Sequence, residues 1–206
     1  ALEVFKKNPN HPCGAHYSIH AFDNPDLARL ALPSAKRYAK IAPASHHAQH
    51  MSAHIFVQLG MWADAVDSNT NGWKTSVDWV EKKNLPLSKR DYHSLQWLHY
   101  SYLQLGLFKK AESVFKTQLK DMQEGIQSKS NLRAGKYYHR MLAASVIETE
   151  RWEWIEKFPP PEGWKPKEFS KSGYHFIRGY SSAMQGKIDE AKQHLLILNN
   201  LKEKGF

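Results

Sequence analysis

The chain predicts an all-α fold, and three observations carry that prediction. Apolar residues recur with helical spacing along almost the whole sequence, and no stretch sustains the period-two alternation of a half-buried strand. A helix–glycine–helix pattern occurs three times, at HIFVQLGMWADAV, YSYLQLGLFKKAESVF and YSSAMQGKIDEAKQHL. Proline, glycine and capping residues punctuate the periodic stretches at intervals suited to helices.

Taken in order, residues 1–7 read as the tail of a helix. A helix is expected over 11–23, after Asn10, with Pro12 in its first turn where a missing N–H costs nothing. Residues 26–41 have helical pattern but carry Pro33, which removes a ladder hydrogen bond and predicts a kink or restart. Ser45 is the expected N-cap of a helix over 45–59, because its hydroxyl oxygen accepts one of the unpaired first-turn N–H groups. A long helix over 62–83 stops before Leu85-Pro86. Ser88 is the expected cap of the next helix, 88–105, with Asp91 favourable in its electropositive first turn. A helix over 108–127 pairs with it, and the polar residues 128–130 read as a loop. Residues 132–150 and 152–157 read as a degenerate pair. FPPPEGWKP, 158–166, is too rich in proline for a helix and reads as a stiff connector. Helices over 168–185 and 188–203 form the last pair.

The three glycine patterns superimpose. Each of Gly60, Gly106 and Gly186 has an apolar residue two positions later (Trp62, Phe108, Ile188) and an alanine five positions later (Ala65, Ala111, Ala191). A glycine ends a helix in the left-handed conformation that a side chain would penalise. The apolar residue plugs the corner, and the alanine lets the two helices approach. On these residues the chain resembles the tetratricopeptide repeat family, of bacterial type. Gly179, seven before Gly186, matches that family's small residue in the first helix. The resemblance implies a right-handed α-α superhelix, here of about four to five helical hairpins over one domain, 1–206, with 158–166 as the place for a subdivision. This chain departs from the family in three respects. Its glycine intervals exceed the standard repeat of about 34 residues. Asn69 and Gly72 stand where the family has a large apolar and a small residue. The unit near 137–155 lacks the glycine, and Trp152 takes the corner role.

Composition bounds the function. The chain has 206 residues, 41% of them apolar, enough for a packed interior. No apolar run approaches the roughly 18–20 residues of a membrane-spanning helix. The opening ALEVFKKNPNHP looks like the end of a helix, so the chain reads as a piece of a longer protein and its compartment is left open. A single cysteine, Cys13, excludes an internal disulfide framework. The net charge of +9 comes from Lys and Arg spread along the chain, which reads as solvated helix surface before it reads as a nucleic-acid footprint.

The first helix of each pair lines the concave groove in the family that the chain resembles. Carried over, the groove positions fall on His20, His50, His54, His93, Gln96, Tyr100, Phe176 and Tyr180. Arg140, in the polar-aromatic cluster Tyr137-Tyr138-His139-Arg140, adds a cation for an anionic ligand. His99 and His175 fall at packing positions, and Trp164 reads as a packed lid or an exposed contact. Twelve histidines are the most distinctive feature of the chain. His16 and His20 are four apart, and His46, His50 and His54 form a second four-residue row, so each row shares a helix face. If the two helices are neighbours, His16, His20, His50 and His54 converge on a metal, with His20 and His50 as the nearest pair and Asp23 as a ligand or a supporting carboxylate. No glutamate stands inside either His-x-x-x-His pair, so the zinc-protease helix pattern is absent. Phosphate-binding glycine loops and Gly-x-Ser-x-Gly elbows are also absent, and no paired carboxylates suggest acid–base catalysis.

The leading expectation is a non-enzymatic module holding a peptide, a protein segment or a small ligand in a His- and Tyr-lined groove, without a cofactor. The first alternative is a zinc- or copper-binding helical-repeat protein using the paired histidines. The second is a basic solenoid that binds nucleic acid.

Overall fold

A computed structural model describes residues 1–128 and 134–205. The described residues form eleven α-helices and no strand. These are α1 (Leu2–Lys7), α2 (Pro12–Ala21), α3 (Ala28–Ile41), α4 (His46–Gln58), α5 (Trp62–Lys82), α6 (Tyr92–Gln104), α7 (Phe108–Gln127), α8 (Gly135–Thr149), α9 (Trp154–Lys157), α10 (Glu168–Met184) and α11 (Ile188–Glu203). The chain divides into two compact units, Ala1–Gly106 and Leu107–Phe206. The division falls at Gly106. The proline connector 158–166, where a subdivision was expected, lies inside the second unit, and it is not helical.

Most element boundaries agree with the pattern to within a residue or two. Pro12 opens α2 directly after His11, and Ser45 caps α4 by accepting from the Ala48 N–H at 3.3 Å. Pro33 does not break its helix: it sits inside a continuous α3. The cap of α6 is Asp91 rather than Ser88. The Asp91 side chain accepts from the Ser94 N–H, and Ser88 falls in a separate 3-10 turn, Leu87–Lys89. Leu132, expected to be helical, and residues 129 and 130 of the expected loop lie outside the described residues.

The glycine corners take the conformation that their spacing predicts. Gly60, Gly106 and Gly186 have φ of +67°, +69° and +73°. At Gly60 the Gly60 N–H donates to Val57 and the Met61 N–H to the Phe56 carbonyl, and Gly186 repeats this pattern with Ala183 and Ser182. Ala65 and Ala111 are fully buried. Where the degenerate pair lacks glycine, Glu150 ends α8 at φ +53°, two positions before Trp152 as Gly60 stands before Trp62.

In the first unit α4 packs between α3 and α5, α2 packs on α3 and α4, and α5 packs on α6. Ala15, Ile19, Ala31, Ala35, Met51, Ile55 and Phe56 form the core. Small residues set the spacing. Gly72 on α5 is the tightest point, because a Cβ there would meet Ser94 Oγ at 2.9 Å, the His46 carbonyl at 3.2 Å and His50 Cβ at 3.3 Å. In the second unit α8 packs on α7 and α10, and α10 packs on α11. Its core holds Phe115, Tyr138, Met141, Leu142, Trp154 and Ile177, and the Tyr138 hydroxyl donates to the Phe158 carbonyl at 2.7 Å.

Candidate metal centre

The histidines of the first unit gather along α4. On this helix His47, His50 and His54 stand three and seven positions apart, which places them on one face. That face meets His93 from α6, and the ring centroids of His50 and His93 are 4.6 Å apart. His50, His54 and His93 form one group of three ligand atoms lying within 4.8 Å of one another. His16, His20 and His47 form a second group of the same kind.

His50 is buried to 1% exposure, and its ring is held in one orientation. Its Nδ1 lies 2.6 Å from Asn69 Oδ1. The Asn69 amide is itself oriented, because its Nδ2 donates to the Ala65 carbonyl at 2.8 Å and so turns the oxygen toward His50. His50 Nδ1 is therefore the donor, and Nε2 carries the lone pair. His54 is fixed in the same way. Its Nδ1 donates to Asp23 Oδ2 at 2.7 Å, and Gln58 Nε2 donates to the other Asp23 oxygen at 3.0 Å. The two Nε2 atoms then face each other at 3.2 Å. Tetrahedral zinc with Zn–N bonds of about 2.0–2.1 Å separates two nitrogen ligands by about 3.3 Å, so the spacing suits a shared ion.

The surroundings are dry on one side. Trp97 closes over the group, its ring 4.6 Å from His54 and 5.3 Å from His50. Burial first, and the neighbouring His93 second, push His50 down to about 3, against the opposing hydrogen bond to Asn69. The imidazole is thus neutral across the physiological range, the state that ligates metals. Asp91 ties the supporting helices together. It caps α6 two residues before His93, accepts from Ser94 Oγ at 2.7 Å and from His46 Nδ1 at 3.0 Å, and its own N–H donates to Ser76 Oγ on α5. Burial works against the Asp91 charge, but the hydrogen bonds from His46 and Ser94 outweigh it and hold the carboxyl well below the usual range.

The expected residues sort as follows. His50 and His54 are together, as the four-residue spacing predicts, and they are joined by His93, expected only for the groove. His46 leaves its row for Asp91, and His47 turns to His16. The ring contact between the two histidine rows is His20 with His54, at 6.3 Å, rather than His20 with His50. Asp23 supports His54 through Nδ1. Gln96 lies half-buried on α6, and Tyr100 packs its ring edge-on against Trp62 at 5.9 Å. The remaining three residues belong to the second unit. Arg140 lies over the Phe169 and Tyr137 rings. Phe176 and Tyr180 stack at 6.0 Å on an exposed apolar groove that Ile188, Ala191 and Leu195 complete. His99 is fully buried, as its packing position predicts. His175 meets His194 across α10 and α11 at 2.9 Å, and Trp164 packs against Tyr138 and Tyr174.

Sequence reasoning passed over the roles of His47, Asn69, Asp91 and Trp97. For Asn69 a signal exists: an amide at a position that packing would fill with a large apolar side chain.

Comparison of the chain with protein families, curated proteins and solved structures finds no match.

Proposed function

We propose that the chain is a tetratricopeptide-like helical-repeat protein whose first unit binds a transition-metal ion between His50, His54 and His93. The observation that carries this reading is the approach of the His50 and His54 Nε2 atoms to 3.2 Å while both Nδ1 atoms are committed as donors. Two lone pairs facing each other beside the buried His50 repel, and a cation between them removes the conflict. A proton joins two nitrogens, whereas a metal ion also takes the third, from His93. The partners of the rings fit the same reading: a carboxylate on His54 and an oriented amide on His50 raise ligand basicity and hold each ring at its angle. The left-handed glycine corners, each followed by an alanine, support the repeat assignment.

Three neutral imidazoles suit zinc, copper, nickel or cobalt and leave the ion its full charge. They also leave at least one coordination position for water or an anionic ligand. The peptide-groove reading accounts for less of the geometry, because its members His50, His54 and His93 turn toward one another.

The test is a titration of the chelator-treated chain with Zn(II), Cu(II) and Co(II), followed by calorimetry and thermal melting. At least one ion stabilises the chain by about 2.7 kcal/mol at a free concentration a hundredfold above its Kd. His50→Ala combined with His54→Ala removes the tight component. A melting temperature indifferent to all three ions at millimolar concentration, or tight binding that survives the double variant, overturns the proposal.

A further inference from the structure

His16, His20 and His47 take no part in the centre just described, yet they converge as closely. His16 Nε2 lies 3.0 Å from His47 Nε2 and 3.1 Å from His20 Nε2. A ring nitrogen carries one hydrogen or one lone pair, so ordinary hydrogen bonding does not satisfy both neighbours at once. A metal ion does, and both distances are close to the edge of a tetrahedron around one. The group differs from the first in exposure, since His20 and His47 face solvent where His50 is buried. It also adjoins the first: the rings of His20 and His54 are 6.3 Å apart, and α4 supplies His47 to one group and His50 and His54 to the other.

We infer that His16, His20 and His47 form a second, solvent-facing site for the same class of transition-metal ion, and that this site is the landing point from which the ion passes to His50, His54 and His93. The landing role rests on the proposed function, whereas the second site stands on its own residues. Two features make it the weaker and transient partner. Asn69 and Asp23 hold the rings of His50 and His54, and no comparable hydrogen bond holds the Nδ1 atoms of His16, His20 or His47 among the described residues. An imidazole ligand brings no negative charge to a bound ion, and the nearby carboxylates of Asp23 and Asp91 already accept from His54 and His46. Nothing in the ligand set balances two divalent ions in adjoining sites, and their mutual repulsion opposes filling both together. His54, touching both groups, is the natural point of exchange.

The experiment uses the full chain and two double variants, each checked for helicity. His50→Ala with His54→Ala isolates the outer site. It binds Zn(II) about 10–100-fold more weakly than the parent chain, and further replacement of His16 and His47 abolishes that binding. His16→Ala with His47→Ala isolates the inner site, with His16→Gln and His47→Gln in reserve should the alanines impair folding. This variant keeps the parent affinity but takes up Co(II) about tenfold more slowly in stopped flow. It releases the ion to chelator more slowly by the same factor, since a route lost in one direction is lost in both. Absence of Zn(II) binding by the His50/His54 variant overturns the outer site. Uptake at the parent rate by the His16/His47 variant overturns the landing role. Absence of any tight ion in the parent chain overturns the inner centre, a result distinct from both.

Discussion

Asn69 shows how a single side chain decides what His50 can do. It is fully buried on α5, spends its Nδ2 hydrogen on the Ala65 carbonyl, and presents its oxygen to His50 Nδ1. Asn69→Leu is close in volume and leaves that N–H buried without an acceptor. The expected cost is about 1–3 kcal/mol of stability, read from thermal melts. The same change frees the His50 ring and lowers Zn(II) affinity about 10–100-fold. A second change, His50→Leu, restores most of the stability but none of the binding, because both halves of the pair are then apolar. An Asn69→Leu variant that is more stable and binds zinc as before would reduce Asn69 to packing.

Among the elements, the corner after α8 carries strain that the glycine corners avoid. Glu150 holds φ +53°, a region that costs an L-residue about 1–2 kcal/mol, where Gly60, Gly106 and Gly186 adopt it freely. Its side chain is exposed. Glu150→Gly is therefore stabilising by about 0.5–1 kcal/mol after the added chain entropy of glycine is set against the relieved strain. For a unit of this size that corresponds to a rise in melting temperature of about 2–6 °C, and an unchanged or lower value would show that the turn is not strained. Element boundaries were largely legible in the sequence, since capping, proline position and glycine spacing act locally. Ser88 is the exception among the caps, because capping is a competition between neighbouring side chains. α3 runs through Pro33, and Asp91 outcompetes Ser88 because it meets Ser76, Ser94 and His46 at once.

For the whole molecule, burial of neutral histidines makes stability depend on acid. His50 and His99 are both pushed down to about 3 by burial, from an ordinary value of 6.5, and His139 is pushed down to about 4 for the same reason. The unfolded chain takes up protons first as pH falls, so protonation favours unfolding. The contribution is whole above pH 6.5 and is lost progressively toward pH 3. Each such group removes about 1.4 kcal/mol per pH unit within that window, so His50 and His99 together give a slope of about 3 kcal/mol per unit. Melting temperature should be steady above pH 7 and fall steeply between pH 6 and 4. A flat profile down to pH 4 would mean that these rings are charged or exposed in the folded state.

The helical class, the corners and the two four-residue histidine spacings follow from the order of residues, because helix geometry repeats every few positions and needs no distant partner. Which histidines meet from one helix to another does not follow from it. His46 and His47 are adjacent in sequence, yet one turns to Asp91 and the other to His16, and His93 joins His50 from more than forty residues away. Those choices rest on how closely α4, α5 and α6 approach at Gly72 and on which buried hydrogen bonds close around each ring. Both are properties of packed helices, and no window of sequence contains them.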